Sequence, residues 1–216
     1  MSNALLADLV AYIGATGSGK TLLIKAALRE GGAPLMVWSP KEALDKYAPE
    51  FGERIDGNPS QLVEAVSEGA ALVYVPNRSD AERLARQFSL FCGLALAVGH
   101  RRVLVEEMSL VASSRSSPQR WVTLVTEGRA HGLALRAATN RPQLCDASLL
   151  DAATEIYCGR MNRGGSQKIM ADAMGGLPLD RVRALAQLQF LRWRAGFDAV
   201  ELVQVAPPAA HRRRRS

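Results

Sequence analysis

The chain has 216 residues, 48% hydrophobic and 22% charged, enough to bury roughly 70% of its unfolded surface around an ordinary globular core. No stretch reaches the ~18 apolar residues of a membrane span, and no basic region followed by an apolar core marks a signal peptide at the N-terminus. Net charge is +6, but four of those charges are Arg212 to Arg215 in "PPAAHRRRRS", which leaves +2 on the rest.

The body is therefore close to neutral, and residues 206–216 read as a disordered basic tail. Contact with nucleic-acid phosphate or an acidic surface is one reading of the tail; a solvated terminus is the other. Cys92, Cys145 and Cys158 are scattered and odd in number, no CxxC pair occurs, and there are three histidines. Neither a disulfide framework nor a structural metal site is suggested, and a reducing, intracellular setting fits.

In chain order, "DLVAYIG" (8–14) reads as a buried strand and "TLLIKAALRE" (21–30) as a helix stopped by Gly31-Gly32. "APLMVWSP" (33–40) is a second strand, residues 41–58 are polar and irregular, "QLVEAVSEG" (61–69) is a short helix, and "ALVYVPN" (71–77) is a strand. "SDAERLARQFSLFCGLALAVG" (79–99) is a helix capped by Ser79 or Asp80; its apolar end is too short to span a bilayer and reads as buried helix. "RRVLVEEMS" (101–109) is a strand ending in carboxylates. "SPQRWVTLVTEGRAHG" (117–132) is a helix with Pro118 near its first turn. "LALRAATNRP" (133–142) and "TEIYCGR" (154–160) are strands, with Asp146 capping "DASLLDAA" between them. Segments 166–176 and 178–187 follow, then "LQFLRWR" (188–194) and "AVELVQV" (199–205) pair as a hairpin.

Apolar strands alternating with helices predict a mostly parallel sheet covered on both faces, one α/β domain over residues 1–205, and a C-terminal β-hairpin. Trp38, Trp121 and Trp193 are read as packing residues, and His131 as part of a turn.

Gly14, Ala15, Thr16, Gly17, Ser18, Gly19, Lys20 and Thr21 fit G-x-x-x-x-G-K-[ST] after a strand and before a helix. Glycines at those places let backbone N–H groups turn inward as an anion nest, and the helix aims its positive end at the same point. Lys20 would reach the β- and γ-phosphates, and the Thr21 hydroxyl would ligate Mg²⁺. Hydrolysis also needs an acid at a neighbouring strand end. Glu106-Glu107 supplies it: Glu106 for the metal shell, and Glu107 to orient and deprotonate the attacking water. The strand ends at 39–40 and 76–77 carry no carboxylate.

Thr139-Asn140-Arg141-Pro142 at a strand end, preceded by Arg129 and a His-Gly turn, resembles the "TQRP" region of the FtsK–HerA superfamily. These are P-loop motor ATPases that move DNA as hexameric rings. The compact chain is most similar to the genome-packaging ATPases of tailless, membrane-containing icosahedral viruses, and the resemblance runs from Asp8 to about Arg160.

It implies a RecA/FtsK–HerA-like fold, ATP and Mg²⁺, and double-stranded DNA with capsid or portal-vertex proteins as partners. The setting would be the host cytoplasm or the virion. It also implies that Asn140, where relatives usually have Gln, senses the γ-phosphate or attacking water. Glu106 likewise stands where Asp is usual. Arg129, eleven residues before Asn140, would be an arginine finger reaching a neighbour's site; Arg115, Arg120 and Arg141 are further candidates, and a helix-end cation is the plain alternative for Arg129. Loops 41–58 and 110–118 are candidates for DNA contact. Two rival readings are a zonula-occludens-toxin-like phage assembly ATPase and a small kinase with "GRMNRGGSQK" (159–168) as its lid. The double glutamate argues against the kinase, which must exclude water.

Overall fold

The computed structural model describes residues 9–113 and 116–207. Its described elements, in chain order, are β1 (Leu9–Ile13), α1 (Lys20–Arg29), β2 (Leu35–Trp38), α2 (Glu42–Asp45), β3 (Glu53–Asp56), α3 (Pro59–Ser67) and β4 (Leu72–Val75). There follow α4 (Ala81–Val98), β5 (Arg102–Val105), α5 (Gln119–Glu127), β6 (Ala134–Thr139), α6 (Ala147–Ala152), β7 (Glu155–Gly159), α7 (Gly164–Ala173), α8 (Leu179–Arg183), β8 (Gln189–Arg194) and β9 (Glu201–Gln204).

The strands form one sheet in the order β3-β4-β2-β5-β6-β1-β7-β8-β9. Every pairing from β3 to β7 is parallel; β8 and β9 add antiparallel, as the expected hairpin. The interior strands β1, β2 and β5 are apolar on both faces because both faces are buried there. Parallel pairing gathers the C-terminal ends of β1, β2, β5, β6 and β7 along one edge, where α/β sheets form their ligand crevices.

Coverage of the two faces is unequal. The larger core buries Ala11, Ile13, Trp38, Val103, Val105, Leu135 and Ile156 against α3 to α8. Its aromatic centre is Trp38 with Phe88 and Phe91 edge-on at 5.0 and 5.6 Å, and Phe88 against Trp121 at 5.7 Å. The smaller core sets Val10, Tyr12, Val37 and Leu104 against Ile24 and Leu28 of α1, with Tyr47 and Phe51 beside them. Trp38 and Trp121 are fully buried and Trp193 packs at the margin of the larger core, as expected of packing residues.

The stretch 41–58 departs from the sequence reading. It holds a helical turn, α2, and an edge strand, β3, whose Ile55 alone points inward. One inward apolar residue in four leaves no alternating signal, so an edge strand reads as loop. Asp80, rather than Ser79, caps α4, accepting from the N–H groups of Glu82 and Arg83 at 2.9 and 3.1 Å. Asp146 caps α6 through Ser148 N–H at 2.9 Å. Helix α5 ends at Glu127, so Arg129 stands in the turn beyond the helix, not on it. Among the described residues no helix is long and apolar enough to cross a membrane. Residues 208–216 of the basic tail and Arg115 lie outside the described residues, whereas Ala206 and Pro207 are described and exposed.

The edge-on and tilted rings packed between α4, α5 and β2 make Trp121 a sensitive position. Trp121→Ala is expected to lower unfolding stability by about 3–5 kcal/mol, read as a shift of the urea midpoint at constant slope.

Candidate active site

The loop after β1 is held at three places. At its start, Gly14 N–H donates to Thr139 O (3.3 Å) and Ala15 N–H to Arg160 O (2.8 Å), tying it to the ends of β6 and β7. Gly14 abuts Ser18: a Cβ at Gly14 would lie 2.8 Å from Ser18 Oγ, a hydroxyl buried with no partner among the described residues. At its far end, Gly19 has φ +101°, and a Cβ there would meet Leu188 Cδ2 at 2.6 Å. Only glycine combines that left-handed backbone with so close a neighbour.

The third hold was not legible in the sequence. Just before β8, Leu188 N–H donates to Ser18 O (3.0 Å) and Gln187 Nε2 to Gly17 O (3.2 Å). Leu188 itself has φ +64°. These bonds occupy the Gly17 and Ser18 carbonyls, while Ser18 N–H donates to Ala15 O at 3.1 Å and the N–H groups of Thr16, Gly17 and Gly19 donate to no backbone carbonyl among the described residues. Helix α1 starts directly at Lys20 with no side-chain cap and no acid in its first turn, so its N-terminal dipole is uncompensated by the chain.

The loop borders a cleft of about 570 Å³ lined by Lys20, Thr21, Lys41, Asp45, Glu106 and Glu107 on its polar side and by Leu22, Leu44, Leu188 and Pro207 on its apolar side. The Lys20 ammonium donates to Gly14 O at 2.7 Å, and Thr21 Oγ1 donates to Asp45 Oδ1 at 3.3 Å. Glu106 and Glu107 follow β5, which is separated from β1 by β6. Glu106 is buried and accepts from the Tyr47 hydroxyl at 2.5 Å. Glu107 takes a left-handed backbone (φ 49°, ψ 45°) and pairs with the Lys41 ammonium at 2.5 Å. Asn140, at the end of the intervening β6, places Nδ2 3.5 Å from Thr16 Oγ1, the outer limit of a hydrogen bond. The loop, the two glutamates and Asn140 thus converge at one sheet edge.

Residues 41–58 carry four parts of this site that sequence reasoning passed over as loop: Lys41, Glu42, Asp45 and Tyr47. Glu42 Oε1 accepts from Ala48 N–H at 2.7 Å and so fastens the segment. A lysine, two acids and a tyrosine after a strand end have no fixed spacing to the P-loop, so nothing in the sequence assigns them.

Electrostatics in the cleft follow burial. The Glu106 carboxyl is pushed up from 4.5 to about 7, first by burial and then by Asp45; the Tyr47 hydrogen bond and Lys20 pull the other way. Burial likewise raises Asp45, against the Thr21 hydrogen bond. Lys20 is lowered by burial, although Glu106, Glu107 and Asp45 favour its charge.

The cleft's donors are hard oxygens: the Thr21 hydroxyl and the carboxylates. Among the described residues no three His, Cys, Asp or Glu side chains form a ready metal cage. That suits Mg²⁺, which usually takes one or two protein ligands and completes its shell with water and phosphate.

Arg129 is not near this cleft. It is exposed and borders a depression with Leu9, Leu133, Ala152 and Thr154, where β1, β6 and β7 begin, at the sheet edge opposite the loop. Arg120 packs over α4 with Nη1 3.4 Å from Ser89 O. Asn140 and the exposed Arg141 line, with Asn162 and Arg163, a separate cleft that shares Thr16 with the cleft of Lys20, Glu106 and Glu107. The Gly- and Arg-rich segment 159–168 folds into the start of α7 and is tied down by Ser166 Oγ to Gln143 (2.8 Å) and Gln167 Nε2 to Met161 O (2.9 Å).

Comparison with known proteins follows this geometry. The chain is 31% identical over 167 residues to Protein P9 of Pseudoalteromonas phage PM2, an alignment that takes in 74% of this chain and 72% of P9. The chain belongs to the P9 family. No family model matches it.

Among solved structures, the genome packaging NTPase B204 of Sulfolobus turreted icosahedral virus 2, in complex with sulfate, superposes with a TM-score of 0.72 at 16% identity. The match covers 93% of this chain and 97% of B204. VirB4 of Thermoanaerobacter pseudethanolicus superposes with a TM-score of 0.70 at 10% identity, over 92% and 89%. At such identities the likeness is one of fold, and this P9-family chain has the fold of the FtsK–HerA-type P-loop ATPases.

The raised Glu106 value has a consequence for stability. A carboxyl that holds its proton better when folded contributes stability that is complete below about 4.5 and is lost as pH rises through about 7. The parent is expected to lose up to about 3 kcal/mol across that window. Glu106→Gln, which still accepts from Tyr47, is expected to lose this slope and to exceed the parent in stability above pH 7, measured by denaturant unfolding at a series of pH values.

Proposed function

We propose that this P9-family chain hydrolyses ATP to translocate double-stranded DNA, packaging a viral genome into a preformed capsid as a homohexameric ring. The observation that carries the reading is the convergence of the Gly14–Thr21 loop, Glu106-Glu107 and Asn140 at one sheet edge. The fold shared with B204, itself a genome packaging NTPase captured with AMPPCP and with ATP-gammaS, supports it.

In this reading the N–H groups of Thr16, Gly17 and Gly19 and the start of α1 cradle the phosphates. Lys20 exchanges the Gly14 carbonyl for phosphate oxygens. Thr21 and Glu106 would hold Mg²⁺, which neutralises charge on the phosphate oxygens. Glu107 orients the attacking water and accepts its proton. Asn140, already beside Thr16, contacts the γ-phosphate or that water.

Arg129 points to shared sites. Five residues of β1 lie between its sheet edge and the loop, about 16 Å of strand. At that distance it does not reach its own cleft, and this reading assigns it to a neighbour's site in the ring. Residues 1–205 would act as one ATPase domain, with the basic tail available to nucleic-acid phosphate.

ATP hydrolysis is expected to rise on adding double-stranded DNA and to fall at least about a hundredfold in Lys20→Ala and in Glu107→Gln, measured as phosphate release. DNA-independent turnover, or phosphate transfer to a nucleoside monophosphate, contradicts the motor. Mixing Arg129→Ala with Lys20→Ala subunits is expected to restore part of the lost activity, because mixed rings then contain some complete sites. No recovery at any mixing ratio removes Arg129 from that role.

A further inference from the structure

We propose that Lys41 is a second cation of the phosphate site, one that contacts the terminal phosphate and lets the cleft distinguish a nucleoside triphosphate from a diphosphate. This rests on the nucleotide reading above.

Lys41 follows Ser39-Pro40 at the end of β2, and β2 lies next to β5. Lys41 and Glu107 therefore stand at adjacent strand ends. The Lys41 backbone is fixed: its carbonyl accepts from Leu44 and Asp45 N–H at 2.8 and 3.0 Å, and Arg78 Nη1 donates to the preceding Pro40 O at 3.1 Å. Its side chain is 32% exposed and lines the same cleft as Lys20 and Thr21.

The position of the terminal phosphate follows from what the base must do. A base for the attacking water has to lie within one water of the phosphorus under attack. Glu107 is the carboxylate assigned that work, and the Lys41 ammonium is 2.5 Å from it. A cation that close to the base is also within reach of the γ-phosphate. The inner phosphates, held by the loop after β1, lie further off, because β6 and β5 stand between β1 and β2.

Charge balance points the same way. The cleft faces Asp45, Glu106 and Glu107 with two ammonium groups, and no arginine lines it among the described residues. A triphosphate adds negative charge beside three carboxylates, and besides Lys20 and the metal of the proposed function, Lys41 is the further cation lining the cleft among the described residues.

The pair also separates which partner moves. Glu107 is held by a left-handed backbone that a non-glycine residue adopts only under constraint. Lys41 has a long flexible stem and partial solvent access. When a triphosphate enters, the lysine swings from carboxylate to phosphate, and that leaves Glu107 free to take a water. With a diphosphate in the cleft the ammonium stays on Glu107.

The test compares ATP and ADP affinity by calorimetry in the parent, Lys41→Met and Lys41→Arg. Lys41→Met is expected to weaken ATP about tenfold while ADP changes by less than about twofold, and Lys41→Arg is expected to recover most of the loss. The same ATP-selective loss is expected when Lys41→Met is made in a Glu107→Gln background. Equal loss for the two nucleotides, no loss for ATP, or a loss that disappears in the Glu107→Gln background overturns the proposal; the last outcome means that Lys41 acts only through Glu107. Failure of the parent to bind either nucleotide is a different result, which sinks the nucleotide reading and this one with it.

Discussion

Three carboxylates, Asp45, Glu106 and Glu107, share a partly buried cleft with two ammonium groups, Lys20 and Lys41. Burial opposes charge of either sign, so Glu106 and Asp45 are raised and Lys20 is lowered. The side chains meet the remaining charge internally: Lys20 on Gly14 O, Lys41 on Glu107, Thr21 on Asp45, Tyr47 on Glu106. In the proposed function, a triphosphate and its metal would compete for these same ammonium, hydroxyl and carboxylate groups.

The rigid frame around these charges comes from two sources. Parallel pairing brings β1, β2, β5 and β6 to one edge, which aligns loop, lysine, glutamates and asparagine without any long-range device. The C-terminal segment then clamps the loop from outside through Gln187 and Leu188, and Leu188 O accepts from Val205 N–H at 2.9 Å. The hairpin β8–β9 is thereby wired to the phosphate loop by main-chain bonds.

What the sequence revealed depended on whether a feature carried its own periodicity or spacing. The buried strands β1, β2, β4 and β5 are short apolar runs, and the loop has fixed glycine spacing, so both were legible. So was Glu106-Glu107, because two acids after a buried run are unusual. Asp80 and Asp146 announced their helices by capping chemistry, and Pro118 announced its helix by a fixed backbone angle just before the first turn. The edge strand β3 and the turn α2 were not legible: only Ile55 of β3 is buried, and α2 is one turn long. With them went Lys41, Asp45 and Tyr47, which reach the site through tertiary folding alone. Arg129 was legible as a residue but not as a location; the end of α5 and the sheet edge had to be known before its own cleft could be excluded.

The account turns on Glu106 sharing its proton near neutral pH until a metal–triphosphate arrives. Calorimetric titration with MgATP at pH 7, repeated in buffers of different ionisation enthalpy, reads that proton directly. The account predicts net proton release on binding, because burial raises the Glu106 carboxyl so that it holds a proton near neutral pH and a nearby cation favours its ionised form. Glu106→Gln should show no such release. Binding without proton release in the parent, or equal release from Glu106→Gln, would contradict it.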